Sequence, residues 1–333
     1  MSATRRITVL AGGVGAARFL TGLVGATSAS DHQPAAEITV VGNTADDLYW
    51  FGLKVCPDLD SVMYTLGGGS DQQRGWGRGG ESFRVLNELQ AYRAQPDWFG
   101  IGDLDLATHL VRTQALATGK SLTQATAELA RRWELPVRLL PMTDDPVETH
   151  VFIRDPATDA ADLELHFQEW WIRYRAEPEP SRFVFTGAES ARPGSDVIAA
   201  IADADLVIFP PSNPVVSIGP ILAVPGIRDA VAATRAPVVG VSPIIGSAPV
   251  RGMADRCLRA IGVPVSATGV GLHFDARAND GLLDHWVIDE RDAEQASTIR
   301  ARGLSCTPAP TLMSDLDAST RLARSVLELG GTP

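Results

Sequence analysis

The stretch "ITVLAGGVGAARFLTGL", Ile7 to Leu23, decides the fold. An apolar run, part of "RRITVLAGG", reads as a buried strand. A glycine cluster follows, and "AARFLTGLVGA" then reads as a helix with Phe19, Leu20 and Leu23 on one face. The next segment, "EITVVGN", Glu37 to Asn43, is a second short strand rich in β-branched residues. Strand, helix and strand within about forty residues make a βαβ unit, and hence a parallel sheet.

Further along, "DVIAAIADADLVIFPPSNP" reads as a helix followed by a strand at Leu206 to Phe209. "APVVGVSPIIG" adds another strand, and "RGMADRCLRAIG" the helix after it. The middle of the chain breaks this alternation. "ESFRVLNELQAYRA", "DLATHLVRTQALATG" and "SLTQATAELARRWEL" are successive helical patterns, the last opening with Ser121 and Gln124 at capping-box spacing. "RLLPMTDD", "ETHVFIRD", "LELHFQEWWIRY" and "RFVFTG" then read as strands. The expected fold is α/β, a Rossmann-like, doubly wound, mostly parallel sheet. Residues 1–66 and 137–333 would form the core and 67–136 a helical insertion subdomain.

Composition narrows the function classes. The chain has 333 residues, 45% hydrophobic and 21% charged, which is ordinary for a globular protein. A net charge of −11 argues against general nucleic-acid binding, which needs clustered Lys and Arg. No apolar run reaches the roughly 18 to 20 residues of a membrane span, and the basic start meets glycines rather than a cleavage site. A cytoplasmic protein without membrane attachment is expected. The three cysteines, Cys56, Cys257 and Cys306, lack zinc spacing and are expected to be reduced. The six histidines form no metal motif, and no Ser-His-Asp constellation can be assembled.

Four loops should meet at the carboxyl edge of the sheet, where open α/β sheets bind ligands. In the first, "AGGVGAAR", Gly13 and Gly15 match two positions of the dinucleotide fingerprint, but Arg18 stands in place of the third glycine. Gly42 and Asn43 stand where a ribose-binding acid belongs, and no Walker A pattern exists. What remains is a loop whose backbone N–H groups can approach an anion at a helix N-terminus. The second, "GNTADDLYWFGLKVCPDLD", holds Asp46, Asp47, Asp58 and Asp60. Close carboxylates beside a phosphate site point to Mg²⁺; the competing reading has Asp58 or Asp60 capping a helix and Asp46 its own turn. The third, "FPPSNPVVS", offers Ser212 and Asn213; the fourth, "SPIIGSAPVRG", offers Arg251 before a helix. Trp76, between Gly75 and Gly77 and flanked by Arg74 and Arg78, is placed to stack on a flat ligand. The aromatic "FQEWWIRYR" reads as core or interface.

Taken together, "LAGGVGAARFL", "GNTADDLYWFGLKVCPDLDSVMYTLGG", "RGWG", "FGIGDLDLATHLVRT", "LPMTDDPVETHV", "FQEWWIRYR", "PPSNPVVSIGPIL" and "SPIIGSAPVRGMADRCL" resemble the 2-phospho-L-lactate transferase family (CofD in archaea, FbiA in actinobacteria) over nearly the whole chain. The likeness is closer to the actinobacterial, phosphoenolpyruvate-type branch. The resemblance implies a homodimeric enzyme of coenzyme F-420 biosynthesis. It would move a phospho-enolpyruvyl or phospho-lactyl group from a GDP-activated donor to the terminal ribitol hydroxyl of the deazaflavin Fo, releasing GMP. It further implies Mg²⁺ held by Asp46 with Asp58 or Asp60, and Asp46 and Asp60 as catalytic carboxylates. Gly12, Gly13, Val14, Gly15, Asn43, Ser212, Asn213 and Arg251 would face the nucleotide phosphates. Asp46, Trp76, Arg78 and Arg84 would face Fo. The alternative is a nucleotide-sugar-binding regulator of a related family, which would need neither the carboxylate set nor the "GDLDLATH" insertion. A nicotinamide oxidoreductase is disfavoured by Arg18 and by the missing ribose acid.

Overall fold

A computed structural model describes residues 4–28, 36–71, 73–155 and 163–331; residues 1–3 of the basic lead lie outside that set. β1 (Arg6–Ala11) passes into α1 (Gly13–Thr27) and returns as β2 (Glu37–Gly42). A hairpin of β3 (Leu48–Trp50) and β4 (Leu53–Val55) leads to α2 (Pro57–Leu66). Three helices follow, α3 (Arg84–Ala91), α4 (Asp103–Ala117) and α5 (Leu122–Arg132), before β5 (Arg138–Pro141). β6 (Glu148–Ile153), β7 (Leu163–His166) and β8 (Pro180–Thr186) come next. The second half runs α6 (Val197–Ala202), β9 (Leu206–Phe209), α7 (Gly219–Ala223), α8 (Ile227–Ala233) and β10 (Val238–Val241). It continues through the small hairpin β11 (Ile244–Ile245) and β12 (Ala248–Pro249) to α9 (Ala254–Ala260) and α10 (Ala267–Phe274), and closes with β13 (His285–Asp289), α11 (Ala296–Ala301), β14 (Ser305–Ala309) and α12 (Leu316–Leu329).

The main sheet has seven strands in the order β14-β13-β10-β9-β1-β2-β5, every pair parallel. Strands covered by helices on both faces must be apolar throughout, and β9 and β10 are buried at every residue. One face packs Phe19, Leu20 and Leu23 of α1 with Leu59 and Met63 of α2 and Leu322 and Val326 of α12. The other packs Ile201, Ile227, Val231, Leu258, Phe274 and Trp286. The chain winds outward from β1 in both directions, so the switch point lies between β1 and β9, and a crevice opens above their carboxyl ends.

The helical segment forms as its periodicity predicts. α5 starts with a complete capping box, the Ser121 side chain accepting from the Gln124 N–H and the Gln124 side chain from the Ser121 N–H. Leu122 and Leu129 of α5 join the main core. Leu48, Trp50 and Val55 of the β3–β4 hairpin cluster instead with Phe99 and Ile101. β6, β7 and β8 form an antiparallel sheet separate from the main one. One expectation needs correction. The aromatic "LELHFQEWWIRY" is not one strand: pairing stops at His166 and a helical turn covers Glu169–Arg173. That turn buries Trp170 against Phe167 and Phe183, and its Nε1 donates to the Pro178 carbonyl at 2.9 Å. Trp171 and Ile172 then face outward together, which alternation along a strand would forbid. Among the described residues, no single helix is long and apolar enough to cross a membrane.

Candidate active site

The crevice holds a cleft of about 620 Å³. Gly12–Gly15, Asp46, Ser212, Asn213 and Arg251 line it, so the four loops expected at this edge converge. The glycines make that convergence possible. A Cβ on Gly12 would fall 2.6 Å from Ser217 Cβ and 2.8 Å from Asp58 Oδ2. One on Gly15 would fall 2.5 Å from the Pro211 carbonyl oxygen. Gly13 has a φ of +74°, open to glycine at little cost. The loop is therefore shaped to let the start of α1 touch both α2 and the loop after β9. The cap residue of α1, Gly12, brings no side chain of its own, the Asp58 carboxylate lies beside the Gly13 N–H, and Ser212 Oγ ties the two loops by donating to the Gly12 carbonyl at 3.0 Å. Because the obstacle at Gly15 is backbone, Gly15→Ala is expected to destabilise the protein by about 1–3 kcal/mol. A thermal melt checks this; an unchanged melting temperature would show that the contact is not tight.

The carboxylates sort into different environments. Asp46 is 5% exposed and its Oδ1 has no hydrogen-bond partner. Burial, then the neighbouring Asp58 and Asp47 carboxylates, push its carboxyl well above the usual range. Asp58 accepts from Asn43 Nδ2 at 2.9 Å, yet burial still raises its carboxyl to about 6. Asp47 is turned away from the cleft, 3.1 Å from Lys54 Nζ, and accepts from the Cys56 thiol at 3.0 Å. Asp60 is gripped on both oxygens by the buried Arg112 guanidinium. Neither Asp58 nor Asp60 caps α2. The helix begins at Pro57 with Cys56 as its cap residue, and both acids sit in the first turn, where the helix dipole favours them.

These environments decide what could hold a divalent cation. Among the described residues, no group of three His, Cys, Asp or Glu side chains is arranged for a metal. Two repelling buried carboxylates, one with an orphaned oxygen, fit a cation completed by phosphate oxygens and water. Asp46 and Asp58 meet that description. Asp60 also lines the cleft, but the Arg112 guanidinium already holds both of its oxygens, which sets it apart from that pair.

Several other expected residues also stand differently. Asn43 is fully buried and does not line the cleft; it holds Asp58 and accepts from the Ala45 N–H, so it shapes the site from behind. Asn213 lines the cleft, but its Oδ1 accepts from the Val215 and Val216 N–H groups and thus caps the next turn. Arg251 reaches across the cleft mouth toward the Arg74 and Gly75 carbonyls. Trp76 lines the cleft, half exposed, with the Arg74 guanidinium 5.2 Å from its ring centre. Arg78 and Arg84 are not cleft residues. Arg78 lies over the Trp133 ring and donates to the Leu104 carbonyl, and Arg84 is exposed at the start of α3. Arg18 is exposed and lines the cleft.

Other lining residues stood out less in the sequence. Tyr64, Phe99, Asp105 and His109 come from α2 and the helical segment, Phe167, Trp171 and Ile172 from the turn after β7, and Thr311 and Met313 from the loop after β14. A signal for some existed. Asp105, His109 and Arg112 recur at helical spacing, and His109 and Arg112 occupy the inner face of α4, where apolar residues belong.

The fold is that of a doubly wound α/β protein whose cleft joins a glycine loop at a helix N-terminus to buried carboxylates. The chain belongs to the 2-phospho-L-lactate transferase CofD family, whose profile matches residues 7–324. It is similar to the protein named phosphoenolpyruvate transferase in Streptomyces griseus, 54% identical over 324 residues, 97% of this chain and 98% of that one. The protein of that name in Thermobifida fusca is 55% identical over 326 residues, 97% of each chain. The one in Mycobacterium marinum is 52% identical over 331 residues, 98% of this chain and 99% of that one. Among solved structures, a member of the UPF0052 family from Bacillus halodurans superposes with a TM-score of 0.61 at 16% identity, covering 98% of this chain and 100% of that one, which shows the shared fold.

Proposed function

We propose that this protein transfers a phospho-enolpyruvyl group, or its phospho-lactyl counterpart, from a GDP-activated donor to the terminal ribitol hydroxyl of Fo, releasing GMP, in the biosynthesis of coenzyme F-420. Family membership supports the class of reaction, and the relatives' names favour the enolpyruvyl form. The observation that carries the reading is the juxtaposition of Asp46 and Asp58 with the glycine start of α1 in one cleft.

In this reading the N–H groups of Gly13 to Gly15 hold the donor diphosphate. Asp46 and Asp58 would hold Mg²⁺, which when bound offsets negative charge on the transferred phosphoryl group and the departing nucleotide. Trp76 and Trp171 offer flat surfaces for the deazaflavin ring. The acceptor hydroxyl gives its proton to water as its oxygen bonds to phosphorus, the bond to the bridging oxygen breaks, and that electron pair leaves with GMP. Such transfers depend mainly on positioning and electrostatics, so a protein nucleophile is not required. The homodimer and the cytoplasmic location belong to this reading through the family resemblance alone.

Purified protein mixed with Fo, Mg²⁺ and chemically made enolpyruvyl or lactyl donors should release GMP in step with a mass gain on Fo. The enolpyruvyl donor should react faster, and excess EDTA should stop the reaction. No product from either donor would overturn the proposal.

A further inference from the structure

Helix α4 carries a polar network to which the transfer outlined above assigns no role. Arg112 Nη1, already bound to Asp60, lies 3.2 Å from His109 Nδ1. A guanidinium only donates, so Nδ1 is the accepting nitrogen of the ring and Nε2 the one that carries a proton. Nε2 is 3.3 Å from Asp105 Oδ1, and the same oxygen accepts from the Tyr64 hydroxyl at 2.6 Å. Glu81 fixes the backbone beneath by accepting from the Leu104 and Asp105 N–H groups, each at 2.8 Å.

The network reaches the cleft, and Asp105 is its most exposed member there. The His109 and Arg112 side chains are 1% exposed, whereas Asp105 is 14% exposed and lines the cleft. The Tyr64 hydroxyl donates to Oδ1 and His109 Nε2 lies beside the same atom, which leaves Oδ2 without a protein donor among the described residues. Although burial works the other way, His109, Tyr64 and the Arg112 charge hold the Asp105 carboxyl below the usual carboxylate range. The result is an ionised, oriented acceptor on the cleft wall, beside the aromatic residues Tyr64 and Phe99.

We propose that Asp105 binds the acceptor substrate, its free oxygen taking a charge-assisted hydrogen bond from a hydroxyl of the polyol chain, and that Tyr64, His109 and Arg112 are positioning residues acting through it. This rests on the reading that the acceptor is the hydroxylated deazaflavin Fo. Asp105→Asn keeps the shape but removes the charge.

The test is equilibrium binding of Fo to the full chain, followed by the ligand's own fluorescence, with GDP binding measured in parallel. Wild type should bind Fo saturably. Asp105→Asn should weaken Fo at least about tenfold, leave GDP within about twofold, and raise the acceptor KM more than it lowers kcat. Tyr64→Phe, which removes the hydroxyl that donates to Asp105, should weaken Fo by a smaller factor and decides the matter if Asp105→Asn fails to fold. Failure of wild type to bind Fo would overturn the acceptor reading and this inference with it. Equal Fo binding by wild type and the folded variants would overturn this inference alone.

Discussion

Asp46→Asn is expected to lower turnover at least about 100-fold, a loss of about 2.7 kcal/mol of transition-state stabilisation, while leaving the ligand-free fold at least as stable as wild type. Asp46 is buried, one of its oxygens has no partner, and two carboxylates crowd it. That arrangement is unfavourable until a cation enters, so removing the charge relieves the empty site and disables the loaded one. Initial rates and a thermal melt of the metal-free protein check the two halves; wild-type turnover in the variant would remove Asp46 from the site. Asp58 supplies the pH signature. Its carboxyl is raised to about 6 in the folded state, so its contribution to stability is present at low pH and lost as pH rises toward 6. The melting-temperature gain of Asp58→Asn over wild type should therefore be small near pH 4 and reach a few degrees near pH 7. A gain that shrinks as pH rises would contradict this account.

The largest effect on stability is expected at Arg112. Arg112→Met would strand the Asp60 carboxylate in the interior beside His109 and cost about 3–5 kcal/mol, read as a shift in the urea midpoint. Breaking a buried pair on one side leaves an uncompensated charge, whereas replacing both partners removes that penalty. Arg112→Met combined with Asp60→Leu should therefore recover most of the lost stability. Failure of the double variant to recover would mean that the pair is needed for packing. Either result bears on the cleft, because the same guanidinium sets the His109 proton and, through it, the orientation of Asp105.

Much of the frame was legible before the structure. The strand at Leu206–Phe209 and the capping box at Ser121 fall where local pattern puts them, since an apolar strand core and a capped helix are written into neighbouring residues. The turn at Glu169–Arg173 was misread as strand because two adjacent tryptophans satisfy either period; Trp170 chooses by finding Phe167 and Phe183. The carboxylates were harder. Asp46, Asp58 and Asp60 are alike in the sequence, and only Arg112, fifty-two residues beyond Asp60, tells them apart.

The sequence by itself determined the parallel sheet, the edge at which its loops gather, and the family, because these depend on periodicity and on motif order along the chain. Tertiary structure alone decided which acids face one another, that Asn43 supports Asp58 from behind, and that Asp105 rather than Arg78 or Arg84 reaches the cleft. The reason is physical: a carboxylate's charge state and reach depend on burial and on partners brought from distant segments, and no local pattern records either.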